Sequence, residues 1–395
     1  MRTQPTLAKA AVLGLAQILV WGGSFFLMAV LADPVVRDTG WPRQWVYGSL
    51  SLGILVSGLL SPRVGQLIAR HGGRRLLAGS GLVIAAGLVM LGAARSLPIF
   101  MLAWMIIGVG MAAGLYDPLF ATLGALHGEA ARRAISQVTL ISGFCTTLTW
   151  PIIGWLIEHV GWRHACWGYA ALLAVLVWPM YVMVLPRDRK GTTSMVHADA
   201  DTEAPPYGMV FTLLTMGFIL SSVIMTAISV QLIALMQAKG LSLTAAIGLG
   251  ALIGPSQVGA RAIDALASRW HPLWNTLGSA LLVAVGLLLL LAPAAASVGI
   301  VLYGAGSGVR SIVRGTLPLA LFGRRHYAVV LGRIARPVLI AQALTPLLSG
   351  YLMQHQGASF TLVTLCLLAA LNMVLVLVLL PYRRGSVSLS TEATE

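Results

Sequence analysis

Charge is what this sequence has least of. Of its 395 residues 10% are Asp, Glu, Lys or Arg, while 58% are hydrophobic. A water-facing chain carries about 25% charged residues. Too little polar surface is present to cover a body in water, so most of that surface must face lipid. Cysteine is nearly absent. Cys145, Cys166 and Cys366 all lie within apolar runs, which excludes a disulfide framework or a paired-cysteine metal site. No G-x-x-x-x-G-K-[ST] loop is present, so ATP drive within this chain is not expected. H-E-x-x-H and G-x-S-x-G are absent, and no histidine lies inside an apolar run, so catalysis at depth is not expected either. The chain is therefore expected not to be an enzyme and to need neither metal nor cofactor.

What the sequence has is length of apolar run. A membrane-crossing helix needs about 20 mostly apolar residues. Twelve stretches qualify, at about 11–32, 45–62, 76–94, 99–124, 134–157, 165–185, 209–236, 243–263, 273–292, 297–321, 335–353 and 360–381. The runs are continuous rather than alternating, and lipid requires every backbone group to be paired within its own segment. The expected fold class is an all-α membrane protein.

The net charge of +14 would suggest nucleic acid on a soluble chain. Here it follows from topology, and no nucleic-acid partner is expected. Most Lys and Arg, including Arg63, Arg70, Arg74, Arg75, Arg132 and Arg133, fall on one side of the twelve stretches. Arg37, Arg43, Arg95, Arg163 and Lys239 fall on the other. Cytoplasmic loops collect basic residues, so both termini are expected inside, in a bacterial inner membrane.

One polar segment, 186–208, interrupts the pattern after the sixth stretch. It divides the chain into an N-terminal six-helix bundle (1–185), a cytoplasmic linker (186–208) and a C-terminal six-helix bundle (209–395). The halves resemble each other. An offset of 196 (304 − 108) brings Gly108-Val-Gly110 onto Gly304-Ala-Gly306, and Trp155-Leu-Ile-Glu-His159 onto Tyr351-Leu-Met-Gln-His355. Two six-helix pseudo-repeats are what duplicated transporters show.

Between the second and third stretches the sequence reads Gly65-Gln-Leu-Ile-Ala69-Arg70-His71-Gly72-Gly73-Arg74-Arg75. This resembles the loop signature G-x-x-x-D-R-x-G-x-R-R of the major facilitator superfamily. Gly65, Arg70, Gly72, Arg74 and Arg75 match, and Ala69 replaces the acidic residue. The resemblance covers the whole chain and implies the major facilitator fold. It also implies a secondary transporter that works by alternating access, with helices 1, 4, 7 and 10 lining its cavity. The strings Gly254-Pro-Ser-Gln-Val258 and Arg314-Gly-Thr-Leu-Pro-Leu-Ala-Leu-Phe-Gly323 resemble a bacterial branch containing a riboflavin importer and a copper importer for cytochrome oxidase assembly. The copper carrier uses Met-x-x-x-Met in helix 7 and His-x-x-x-Met in helix 8, and this chain has neither pair. The branch thus points to uptake of riboflavin or a similar heteroaromatic compound. Efflux of drugs or metabolites, or transport of a small organic anion, is the alternative. The expected partners are a small-molecule substrate, the proton as coupling ion and the lipid bilayer, with the chain acting as a monomer.

Ionisable groups inside a membrane are costly and mark function. Arg310 lies near the middle of the tenth stretch, with Arg314 one turn on along the same face. Its planar fork suits carboxylates, phosphates or paired carbonyls. Asp117, in the fourth stretch, is expected to gate with Arg310 or Arg314, or to carry the coupling proton. Arg261 and Asp264 are spaced for a local ion pair. Trp21, Gln137, Trp150 and Gln257 are the aromatic and neutral-polar candidates for substrate contact, able to stack on a ring and hydrogen-bond its edge.

Overall fold

The computed structural model describes residues 7–186, 208–266 and 271–384. Arg2, Arg187, Arg189, Lys190, Arg269 and nearly all of the 186–208 linker lie outside them. Among the described residues every regular element is helical, and twelve helices follow one another.

Helix α1 is Leu7–Gly22, resumed as Met28–Thr39. Helices α2 and α3 are Arg43–His71 and Arg74–Ala93. Helix α4 is Leu97–Gly114 followed by Tyr116–His127. Helix α5 joins Ala131–Ser142 to 145–160, and α6 is 162–184. Then come α7 (Met209–Ala238), α8 (Leu243–Ala251 with Ile253–Leu266) and α9 (Pro272–Leu289). A long run from Ala296 to Leu379 breaks at Gly323 and Gly357 into α10 (296–322), α11 (324–356) and α12 (358–379). Glycine is needed at these breaks. Gly161, Gly323 and Gly357 have φ of 79°, 67° and 81°, a region in which a side chain is strained.

Eight helical stretches among the described residues are each long and apolar enough to cross a membrane. Two of these, Ala131–Val184 and His326–Tyr382, hold two crossings each, divided at Gly161 and Gly357. Helices α1 and α8 are interrupted, so neither scores as one long helix. Counting them brings the crossings to twelve.

Two boundaries differ most from the sequence expectation. Helix α2 runs to His71 rather than ending near 62, so Gly65 and Arg70 of the presumed loop are helical and only Gly72–Gly73 make the turn. Arg74 and Arg75 open α3. Helix α11 starts at 324 rather than 335. In both places a basic, polar sequence continues the helix past the apolar run, where a hydropathy reading stops.

The chain forms two compact units, one of Met1–Glu203 with Arg324–Ala343, the other of Ala204–Gly323 with Leu344–Glu395. Within the first, α2 and the start of α11 touch backbone to backbone. A side chain added at Gly65 would meet the Ala328 carbonyl, and one at Gly332 the Ser61 carbonyl.

The repeat is visible as contacts. In the first unit, a Cβ at Gly87 would strike the Ile107 amide and the Ala103 carbonyl, and one at Gly110 would strike Ile84 and Ser80. In the second unit, Gly286 stands in the same way against Tyr303 and Gly299, and Gly306 against Val283 and Ser279. The α4/α10 members differ by 196 (303 − 107), and the α3/α9 members by 199 (286 − 87). Small residues let these helices approach closely where lipid supplies no hydrophobic drive for their association. The aromatic–histidine pairs repeat too. Trp155 stacks on His159 at 4.4 Å, and Tyr351 on His355 at 4.1 Å. Each pair precedes its positive-φ glycine by two residues.

Candidate functional site

Three of the first unit's helices are interrupted, and two of the interruptions have a visible local cause. In α1, Gly22 and Gly23 lie so close to α5 and α6 that a Cβ would run into Thr149 and Tyr169. The ladder there slips, and the Phe26 amide donates to the Trp21 carbonyl, five residues back. In α4, Leu115 is extended (φ −74°, ψ −166°). Pro118 follows, and having no N–H it cannot donate to the Gly114 carbonyl. Gln17 fills that role from α1. Its amide donates to Gly114 O at 2.7 Å and to the Tyr181 hydroxyl at 2.9 Å. In α5, the helix is broken at Gly143–Phe144.

Aromatic side chains link the three breaks. The ring of Trp21 packs on Phe25, Phe26 and Tyr116, with centroids 5.4, 5.6 and 4.9 Å away. Phe26 meets Trp150 edge to face at 6.5 Å, and Tyr116 stacks on Phe120 at 5.2 Å. The polar ends are anchored. Trp21 donates to Gln17 Oε1 at 3.0 Å, Trp150 to the Phe26 carbonyl at 3.1 Å, and the Tyr116 and Ser142 hydroxyls are 2.7 Å apart. Trp21, Phe25, Phe26 and Tyr116 are partly buried and Trp150 is exposed. Such a cluster can stack on a planar solute and donate to its edge.

The structure thus brings two of the expected residues, Trp21 and Trp150, into one cluster. Gln137 lies partly buried on the same α5 segment as Ser142. Asp117 sits one residue after Tyr116 and lines a small cavity with Ser61, Gly65 and Gly332. Phe25, Phe26, Tyr116 and Phe120 were not singled out from sequence, because an aromatic ring in an apolar helix reads as packing. The signals that could have found them were the Gly22-Gly23-Ser24 run and Pro118.

The other expected residues fall in the second unit. Arg310 lines a cleft within that unit's own bundle, and Arg314 lies one turn on in α10, partly buried. Gln257 accepts from Arg261 at 3.4 Å, and Arg261 also donates to the Gly308 carbonyl at 3.3 Å, tying α8 to α10. Asp264 accepts a short hydrogen bond from Asn275 of α9. These contacts show Gln257 and Asp264 engaged in helix packing. At the α2–α3 turn, Gly72 has φ 79°, Gly73 is pressed against Thr122, and Arg74 donates to the Val182 carbonyl at 2.6 Å. Arg70 and Arg75 are exposed. No group of three or more His, Cys, Asp or Glu that could hold a metal occurs among the described residues.

The comparisons agree with this architecture. The model of the Major Facilitator Superfamily matches residues 13–335. A mouse protein, solute carrier family 2, facilitated glucose transporter member 10, is 32% identical over 161 residues, which is 38% of this chain and 28% of that relative. The chain therefore matches under a third of that relative's length. Among solved structures, the human organic anion transporter MFSD10 superposes with a TM-score of 0.72 at 17% identity, covering 94% of this chain and 99% of that one. FucP in its outward conformation gives 0.75 at 12% identity, covering 96% and 99%. The proton:xylose symporter XylE gives 0.72 at 12%, covering 93% and 94%. At these identities the structures speak to fold alone, while the family model spans most of the sequence. The chain is a multi-pass membrane protein that belongs to the Major Facilitator Superfamily.

Proposed function

We propose that this protein carries a small organic solute with a planar ring face across a bacterial inner membrane by alternating access. Riboflavin or a similar heteroaromatic compound is the first candidate. The observation that supports this reading is the aromatic cluster of Trp21, Phe26, Tyr116 and Trp150 at three neighbouring helix breaks. Interrupted helices at depth are where transporters of this architecture place substrate. Gln137 and Asp117 supply polar groups on the same helices as the cluster. The coupling ion is the proton, with Asp117 as its carrier. Two of the structural neighbours are proton symporters by name. The protein works as a monomer, with both termini cytoplasmic and the halves 1–185 and 209–395 as its moving parts.

A second reading, transport of a small organic anion, draws on Arg310 and Arg314 and on the organic anion transporter among the neighbours. Purified protein in liposomes separates the two. Labelled riboflavin should enter saturably under an inward proton gradient, with competition by flat heteroaromatics. Flux of organic acids with no riboflavin flux or competition would overturn the first reading and favour the second.

A further inference from the structure

The two bundles differ at one level of their cores. In the first unit that level is filled. Gln17 of α1 is fully buried and reaches Gly114 of α4 and Tyr181 of α6. The repeat reverses these sizes in the second unit. The 196 offset puts Arg310 at the place of Gly114. The turn glycines Gly40 and Gly240, both at positive φ, align α1 with α7 at an offset of 200 (240 − 40), which puts Gly217 at the place of Gln17. What results is a narrow, open cleft between α7, α9, α10 and α12.

Arg310 is the cleft's charged group. Leu317, Leu375 and Leu379 form much of its apolar wall. The polar side chains beside it are engaged with other partners. Asn372 donates to Ser221 Oγ at 3.1 Å, Ser279 to the Gly306 carbonyl at 2.7 Å, and Thr276 to the Pro272 carbonyl at 2.8 Å. The Arg310 guanidinium itself makes no hydrogen bond or ion pair among the described residues. A guanidinium cannot shed its charge, and at this depth it needs an anion.

We propose that this cleft binds an amphiphilic carboxylate, with the anion on Arg310 and its hydrocarbon part along Leu317, Leu375 and Leu379. The source is either a fatty acid of the bilayer or a transported organic acid of the same shape. The site lies within one bundle and is separate from the aromatic cluster; it rests on the organic-anion reading above and is independent of the ring-solute one.

The test uses the full-length chain in detergent with labelled decanoate as probe and decanol as the uncharged control. Decanoate should bind saturably, and decanol should not compete. Arg310→Gln should weaken binding at least tenfold, and Arg310→Lys should recover part of it. Gly217→Leu, which fills the cleft and leaves Arg310 in place, should also lose binding. Trp21→Ala should bind decanoate like the parent. Decanoate binding within twofold of the parent in folded Arg310→Gln would overturn the proposal. If that variant does not fold, equal competition by decanol, or full binding in Gly217→Leu, would overturn it. Loss of binding in Trp21→Ala would merge the two sites and overturn it as well. A fatty acid retained on protein taken from membranes, and displaced by decanoate in native mass spectrometry, would assign the bilayer source. Decanoate flux into liposomes would assign the transported one.

Discussion

Pro118 removes one donor from α4, and a residue far away in sequence supplies it. The Gly114 carbonyl would otherwise stand unpaired in the bundle's interior, where a lost partner is costly. Gln17 is therefore a structural residue first. Gln17→Leu should lower the melting temperature in detergent, because it leaves Gly114 O unpaired at a cost of about 1–3 kcal/mol. A variant that melts like the parent would show that another donor, or water, takes over. Trp21 has the opposite profile. Its ring is only partly buried, among Phe25, Phe26 and Tyr116, and its N–H is committed to Gln17. An aromatic stack contributes about 0.5–1.5 kcal/mol beyond buried area. Trp21→Ala should then raise KM for a ring solute by roughly three- to tenfold, and Trp21→Phe should restore much of the affinity. Unchanged uptake kinetics in Trp21→Ala would remove Trp21 from the site.

Helix pairing depends on glycine position rather than glycine number. Gly110 and Gly306 have no room for a Cβ, being pressed against the backbones of α3 and α9. Gly79 and Gly278 lie on those same two helices with nothing within 4 Å of where a Cβ would stand. The substitution to alanine should thus split by position. Gly110→Ala and Gly306→Ala should destabilise by about 1–3 kcal/mol, as overpacking does. Gly79→Ala and Gly278→Ala should be neutral or gain up to about 1 kcal/mol in helix propensity. Thermal unfolding of the four variants checks this, and equal behaviour across them would refute the contact argument. The Gly108/Gly304 correspondence was legible in the sequence because identical spacing survives in both halves. Contacts such as Gly87 with Ile107 and Gly286 with Tyr303 were not, since neither pair shares a motif. The interruptions at Leu115 and Phe144 were hidden for another reason. Hydropathy does not register a carbonyl that lacks its donor, and both residues are apolar. The basic beginning of α11 failed the same test from the other side, being helical without being apolar.

For the molecule as a whole, the number of crossings and the duplication could be read from the residues, because lipid imposes run length and helical pairing on any chain that spans it. The substrate site could be read only in part. Buried charges announce themselves by their cost, which is why Asp117 and Arg310 stood out. Rings that stack and rings that merely pack look alike until their neighbours are placed. Asp117 supplies the whole-molecule prediction. If it carries the coupling proton, Asp117→Asn should abolish accumulation driven by a pH gradient while leaving substrate exchange at equal concentrations on both sides. Full gradient-driven accumulation in that variant would remove Asp117 from the proton path. The unequal cores of the two units have a volumetric consequence as well. Hydrostatic pressure favours states that eliminate internal voids. The second unit holds a cleft beside Arg310, and the first has Gln17 filling the same level. In detergent under rising pressure, tryptophan emission from the second unit's Trp274 should shift at lower pressure than that of Trp104 in the first, and an acyl carboxylate seated on Arg310 should narrow the gap.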